Sequence, residues 1–154
     1  MNNPLLIKSS LPYGAPQFDK IETQHYIPAF KQAIEEGKSE IDAIVNNPEE
    51  PSFQNTIEAL EYAGETLNRI SHIFYNLLEA NTNEVMQNIA EEISPLTTEF
   101  SMYIRLNEGL FKRIKSVFEQ RESSNLDAVE MRLLEKTYES FARNGANLSP
   151  EAKE

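Results

Sequence analysis

The sequence predicts an all-α fold of about five helices, packed as an antiparallel-type helical bundle. Apolar residues recur at every third or fourth position through several long stretches, which is the spacing of an α-helix with one buried face. No stretch alternates apolar and polar residues as a half-buried β-strand would, and no internal repeat is evident. With 154 residues, of which 40% are hydrophobic and 25% charged, the chain is long enough for one globular domain with a buried core.

Composition excludes several classes of function. The net charge is -11 and no basic cluster is present, so a nucleic acid or an anionic membrane would repel the chain. Cysteine is absent, which excludes disulfides, thiolate metal sites and a cysteine nucleophile. The first residues contain no long apolar run, so neither a signal peptide nor a membrane span is expected, and a cytoplasmic location fits best.

Residues 1–22 are predicted to form an extended apolar arm. Pro4, Gly14 and Pro16 interrupt any helical period, and the apolar residues between them favour a position on a protein surface rather than in solvent. Residues 23–154 are predicted to form a helical domain, truncated at the start of a further helix.

The first helix of this domain is expected to begin after Thr23, which can serve as its N-cap. Pro28 is tolerable near its first turn. Its apolar stripe consists of Ile27, Phe30, Ile34, Gly37, Ile41 and Ile44. The polar, proline-containing segment 46–52 then breaks the period.

The longest periodic stretch spans residues 52–81. Its apolar stripe consists of Phe53, Ile57, Leu60, Gly64, Leu67, Ser71, Phe74 and Leu78. The side expected to face solvent carries Glu58, Glu61, Glu65 and Arg69. At about 1.5 Å per residue, one helix of this length would be roughly 40 Å long, longer than a small domain is wide. We therefore expect it to bend near Gly64 or to extend past the rest of the chain, with Phe74 and Leu78 in the core.

Three further helices follow. The first starts at residues 81–83, and Pro95 inside its period predicts a kink or break just before that residue. Its stripe consists of Met86, Ile89, Ile93, Leu96, Phe100 and Tyr103. Asn107 is expected to cap the next, whose inward residues are Leu110, Phe111, Ile114, Val117 and Phe118. The last runs from about Leu126 to Asn144, with Gly145 as its left-handed cap and Met131, Leu134, Tyr138 and Phe141 inward.

Ser149, Pro150 and Glu151 have the pattern of another helix start, with an N-cap followed by proline at the first position. A single helical turn does not persist alone because nucleation is costly. We therefore expect the chain to be cut from a longer protein. The surface that a missing part would cover is expected to include Tyr138, Phe141 and the arm residues Leu5, Leu6 and Ile7. Through it the isolated chain should associate weakly with itself.

The residues that could carry chemistry are few. His25 and His72 are the two histidines, and no H-E-x-x-H zinc motif is present. Glu22 and His25 form one isolated E-x-x-H, whereas a di-iron helical bundle needs two copies and two further glutamates. His25 is therefore expected to pack or cap at the first turn of its helix. His72 lies one turn from Asn68 and from Asn76 and is expected to be a hydrogen-bonded helix histidine.

Adjacent carboxylates occur in three pairs, Glu35-Glu36, Glu49-Glu50 and Glu91-Glu92. On amphipathic helices such pairs are usually the solvated face. No phosphate-binding glycine loop and no G-x-S-x-G nucleophile elbow is present. The sequence therefore assigns no catalytic residue and no metal ligand in this chain, and it leaves any substrate-binding residue unknown.

Several segments resemble, in the same order, the N-terminal part of the thimet-oligopeptidase family of zinc peptidases. The segments are NPLL (3–6), LPYGAPQFDKI (11–21), HYIPAF (25–30), NNPEEPSFQNTIEALEYAGETLNR (46–69), ANTNE (80–84), LNEGLFKRIKSVFEQRES (106–123) and MRLLEKTYESFARNGANLS (131–149). Together they cover nearly the whole chain. Within the family they are most similar to the bacterial peptidyl-dipeptidase branch rather than to oligopeptidase A.

The resemblance implies a parent enzyme with a largely helical clamshell fold that removes dipeptides from the C-terminus of oligopeptides. In this family a zinc-bound water, activated by the glutamate of H-E-x-x-H, attacks the scissile carbonyl. The zinc ligands lie in the C-terminal part, which would be this segment's partner, so no catalytic residue is carried over to this chain. The segment would form part of the wall or lid of the substrate channel. Alone, it is expected to show neither tight zinc binding nor peptidase activity.

An alternative of another class stays open. The chain could be a free-standing helical interaction module whose groove binds a partner helix. The gene sequence downstream of residue 154 distinguishes the two, because H-E-x-x-H and a later glutamate support the peptidase, whereas a stop codon supports the module.

Overall fold

A computed structural model describes residues 3–143 of the chain. The described part contains the helices α1 (Tyr26–Val45), α2 (Ala59–Tyr62), α3 (Glu65–Ala80), α4 (Glu84–Arg105), α5 (Glu108–Glu119) and α6 (Ala128–Phe141). Five of these are long, while α2 is a single turn that follows a π-helical segment, Phe53–Glu58. No β-strand occurs between residues 3 and 143. The all-α prediction is confirmed. The predicted cap at Gly145 and the predicted helix start at 149–151 lie outside the described residues.

The chain divides into two compact units. The described residues of unit 1 are 3–38 and 64–100, and those of unit 2 are 39–63 and 101–143. Helices α1 and α4 each contribute residues to both units. The predicted division into an arm and a single helical domain stays a prediction.

The core of unit 1 is centred on Phe74 of α3, which is fully buried as predicted. The rings of Tyr26 and Phe30, both on α1, meet it edge-on with centroid distances of 4.9 and 5.8 Å. Such edge-to-face pairs stabilise a core by about 0.5–1.5 kcal/mol beyond the area they bury. Leu78 is only half-buried, so its predicted place in the core is wrong. It lies in the last turn of α3, which ends at Ala80.

The predicted bend near Gly64 is a complete break. Gly64 has φ 77° and ψ 17°, the left-handed conformation that glycine adopts without a steric penalty. Helix α2 ends before it and α3 begins directly after it. The long periodic stretch is therefore two helices.

The predicted helix starts at 81–83 and at Asn107 are confirmed, and the one at Thr23 is wrong. The side chain of Asn107 accepts a hydrogen bond from the Leu110 N–H at 2.9 Å, as predicted. Asn83 caps α4 in the same way, through the N–H of Met86 at 3.0 Å. The side chains of Ser52 and Asn55 cap the π-helical segment reciprocally.

Thr23 is not the N-cap of the first helix. It lies inside a 3-10 turn, Thr23–His25, that leads directly into α1, and the N-cap position belongs to Glu22. The side chain that caps this turn is the imidazole of His25, which accepts from the backbone N–H of Glu22.

Helix α4 runs continuously through Pro95, so the predicted break does not occur. The hydroxyls of Thr97 and Thr98 donate to the Ser94 carbonyl at 3.0 and 2.9 Å, within the turn that contains the proline. Pro95 removes the helical donor for one carbonyl, that of Glu91, and the α-helix nevertheless runs from Glu84 to Arg105.

Unit 2 has a hydrophobic core of its own. It consists of Ile41, Ile44, Phe53, Ile57, Leu110, Phe111, Ile114, Val117, Leu134 and Phe141. Beside it Phe118 and Tyr138 stack with a centroid distance of 4.0 Å and an interplanar angle of 6°. Phe141 is buried and Tyr138 is half-buried in this stack, so their predicted exposure as a bare patch is wrong. The rings of α5 and α6 cover each other.

Arg113 fastens the segment before the π-helix to α5. Its Nη1 donates to the carbonyls of Asn47 and Glu49 at 2.9 and 3.2 Å, and its Nη2 donates to Oδ1 of Asn55 at 3.0 Å. The residue is only 8% exposed. A buried guanidinium whose partners are neutral oxygens holds the predicted polar break in one conformation.

None of the helices within residues 3–143 is long and apolar enough to cross a membrane.

Candidate functional site

The N-terminal arm is anchored in unit 1. Leu5 has no exposed surface, and the Asn3 side chain accepts from the Leu5 N–H at 3.0 Å. Asn3 Nδ2 also donates to the carbonyl of His25 at 2.8 Å. Of the three arm residues predicted to be bare, Leu5 is buried, Leu6 is half-buried and Ile7 is 50% exposed. The prediction of an exposed arm therefore holds for Ile7 alone.

A cavity of about 430 Å³ lies between this arm and α3. Arg69 and Ile73 line it from α3, Lys20 and Ile21 from the arm, and His25 from the turn before α1. The volume lies within the range of small-ligand sites, about 300–1,000 Å³. We call it the arm cavity.

His25 has the capping role predicted for it. Its Nδ1 accepts a hydrogen bond from the backbone N–H of Glu22 at 3.0 Å. The cap therefore engages the Nδ1 side of the ring as an acceptor. The E-x-x-H pair thus closes a helix start, and the same imidazole lines the arm cavity.

His72 lies exposed on α3. Asn76 Nδ2 donates to the backbone carbonyl of His72 at 2.7 Å and not to its imidazole, so the predicted hydrogen bond of the histidine side chain stays a prediction. Asn68 bonds through its backbone to Gly64 instead. The residue therefore behaves as an ordinary surface helix residue.

The three glutamate pairs are exposed, as the sequence indicates. Three of these carboxylates accept hydrogen bonds from side chains at the surface. Lys38 donates to Glu35 at 3.0 Å, Thr66 donates to Glu36 at 3.2 Å, and Lys31 donates to Glu92 at 3.3 Å. Exposed ion pairs of this kind contribute little to stability. Within residues 3–143 no group of three or more His, Cys, Asp or Glu side chains could hold a metal ion.

Sequence reasoning missed Arg69 and Lys20. The helical period places Arg69 on the solvent side of α3, yet it is half-buried because the arm covers that side. No local signal in either segment could reveal this, since the two are almost fifty residues apart in the chain. Only the path of the arm brings the two cations to one cavity.

Comparison with known proteins gives a consistent set of relatives. No protein-family model matches the chain. Dipeptidyl carboxypeptidase of Escherichia coli (strain K12) is 42% identical over 147 residues, 96% of this chain. Its Salmonella typhimurium counterpart is 42% identical over 151 residues, 98% of this chain. Oligopeptidase A of Salmonella typhimurium is 23% identical over 154 residues, 100% of this chain. The chain spans 22% of the length of each of these curated relatives.

The higher identity to the dipeptidyl carboxypeptidases than to oligopeptidase A confirms the order of similarity that the motifs predict. The match extends over almost the whole chain and over about one fifth of each relative. The chain belongs to the thimet-oligopeptidase family of peptidases, as an N-terminal part of its dipeptidyl carboxypeptidase members.

Proposed function

We propose that this chain is the N-terminal helical part of a zinc peptidyl-dipeptidase that releases C-terminal dipeptides from oligopeptides in the cytoplasm. One observation carries the proposal: 42% identity to a dipeptidyl carboxypeptidase runs through 96% of the chain while spanning 22% of that relative. The partner of the segment is then the C-terminal catalytic part of the same enzyme.

The segment serves as part of the wall or lid of the substrate channel and carries no catalytic residue. Its ionisable groups support this role, because His25 is engaged as a helix cap and the paired glutamates are solvated. A wall segment has to be rigid, and the two separate hydrophobic cores supply that rigidity.

The zinc ion of the parent enzyme does not fit the residues of this chain. A catalytic zinc takes three protein ligands and keeps one open position. The Nδ1 of His25 is already occupied by the Glu22 N–H, and residues 3–143 offer no cluster of three ligands. Zinc would therefore be held by residues outside this chain, and the chain's own part is to shape the channel and exclude folded substrates.

The full-length protein encoded by the gene tests the proposal. We expect it to release dipeptides from a short N-blocked peptide in a zinc-dependent way, and we expect residues 1–154 alone to release none. The remainder without residues 1–154 should be inactive or strongly impaired, and mixing the two parts should restore activity. A full-length protein without dipeptide release contradicts the enzyme assignment. A remainder that is fully active alone contradicts the wall role.

A further inference from the structure

Two cationic side chains, Arg69 and Lys20, line the arm cavity. None of its eleven lining residues is acidic, although the chain has 25 acidic and 14 basic residues. Of the other cavities, those of about 360 and 550 Å³ each include a glutamate and no lysine or arginine, and the one of about 380 Å³ combines Glu61 with Arg105 and Lys136. A cavity of about 390 Å³, which shares Ile7 and His25 with the arm cavity, is lined by no acidic residue and by no lysine or arginine. The arm cavity is therefore a local cationic site on an acidic protein, which attracts anions that the rest of the surface repels.

Within residues 3–143 neither Arg69 nor Lys20 forms an ion pair with a carboxylate. Among the described residues Arg69 takes part in no ion pair, and Glu65, one turn before it, pairs with Lys8 at 3.7 Å. Lys20 donates to the neutral side-chain amide of Gln17. A half-buried guanidinium without a carboxylate partner retains its paired donors for a ligand, and carboxylates match that geometry with two parallel hydrogen bonds.

The remaining lining is mainly apolar, with Ile7, Ile21 and Ile73 among its residues. Tyr13, the chain neighbour of the lining residue Gly14, has φ 60° and ψ 16°, and its ring is fully exposed. A non-glycine residue in the left-handed region is uncommon. The exposed ring of Tyr13 is thus held next in the chain to Gly14, which lines the cavity.

We propose that the arm cavity binds the C-terminal end of a short peptide. The peptide's α-carboxylate lies on Arg69 and Lys20, and the last side chain, an apolar one, packs against Ile21 and Ile73. The choice of a peptide among apolar carboxylates rests on the proposed function, because a peptidase segment meets peptide ends. The carboxylate site itself rests on the geometry of the cavity alone.

The experiment measures binding to the 154-residue chain by two-dimensional NMR titration. The probes are N-acetyl-Ala-Phe with a free carboxylate and the same dipeptide as its C-terminal amide. We expect the acid to bind with a dissociation constant below about 1 mM. The amide should bind about tenfold more weakly or worse, because a charge-assisted pair is lost. A third probe, 3-phenylpropionate, supplies a carboxylate and a ring without a peptide bond and should bind more weakly than the acid.

Variants locate the site. Arg69→Gln should weaken binding of the acid about tenfold and leave binding of the amide unchanged. Lys20→Gln should weaken it by a smaller factor. Lys31→Gln is the matched control, since it removes the same charge at an exposed position that pairs with Glu92 and does not line the cavity. Backbone spectra report whether each variant keeps the fold, and the exposed Lys20 gives a second reading if Arg69→Gln disturbs it.

The proposal is overturned by absence of binding, by equal affinities for acid and amide, or by an affinity of Arg69→Gln and Lys20→Gln equal to that of the wild type. If 3-phenylpropionate binds as tightly as the dipeptide, the peptide assignment is wrong. The assay involves no cleavage, so its outcome is separate from that of the dipeptide-release assay. Binding without release by the full-length protein would contradict only the proposed enzyme.

Discussion

The ring of Phe100 lies directly on the backbone of Gly37. A Cβ added at this glycine would come 2.6 Å from Cζ of Phe100 and 3.3 Å from both Cε atoms. Phe100 is buried, so its ring cannot swing into solvent to make room. Position 37 of α1 therefore has to be glycine, because the Phe100 ring of α4 packs directly against its backbone in unit 1.

We predict that Gly37→Ala destabilises the protein by about 1–3 kcal/mol, the usual penalty for overpacking a core. In a helix interior free of contacts the same change would stabilise by up to about 1 kcal/mol. Urea unfolding of wild type and variant measures the difference. In a Phe100→Leu background the penalty should shrink, because the ring that clashes is gone. A stabilised Gly37→Ala variant contradicts the close approach.

The second prediction concerns Arg113. Its replacement by Ala should cost about 2–3 kcal/mol, since it takes a charged donor from the part-buried carbonyls of Asn47 and Glu49 and one of three donors from Oδ1 of Asn55. Arg113→Lys should recover only part of this, because one ammonium cannot span partners that the guanidinium reaches with two nitrogens. Lys112→Ala, at the exposed neighbouring position, is the control and should stay within about 0.5 kcal/mol. An Arg113→Ala variant as stable as this control would contradict the fastening role.

Helical period and capping residues were enough to predict most of the secondary structure. The stripe of α5 and its Asn107 cap appear where the sequence places them, because they depend on residues three or four apart. Burial near helix ends was less predictable, as Leu78 shows, since it depends on what packs there. Pro95 shows that tertiary packing can keep a helix continuous through a residue whose local preference is to end it.

The arm cavity could not be predicted, because its parts are remote in sequence. Arg69 has the spacing of a solvent-facing residue, and Lys20 lies in a segment without any period. His25 was predicted as a cap, which a short-range E-x-x-H pattern allows, whereas its second role as a cavity wall depends on the path of the arm. Sequence patterns describe contacts along one element better than contacts between a coil segment and a helix.

Gly64 gives a third prediction, on backbone conformation rather than space. A Cβ there would meet Cε1 of Phe100 at 3.8 Å, an ordinary contact, so its positive φ of 77° is the main obstacle. Gly64→Ala should cost about 1–2 kcal/mol, the penalty of the left-handed conformation for an L-residue. Gly64→Asn should cost less, because asparagine tolerates this region. Equal losses for the two variants, measured by urea unfolding, would show that the conformation is not what requires glycine.

The fourth prediction concerns stability at high pH. Burial raises the pKa of the Tyr26 phenol, because the charged phenolate would have to form beside the ring of Phe74. In the unfolded chain a tyrosine titrates near pH 10. Below that pH the phenol is neutral in both states and its burial is fully stabilising. As pH rises above it the unfolded state loses its proton first, so stability falls until the folded-state pKa is passed.

Tyr26→Phe removes the phenol and with it this pH-dependent loss of stability. The variant should therefore lose less unfolding free energy than the wild type between about pH 9 and pH 11. Equal losses in the two proteins, measured by urea unfolding at each pH, would mean that Tyr26 does not contribute to alkaline unfolding.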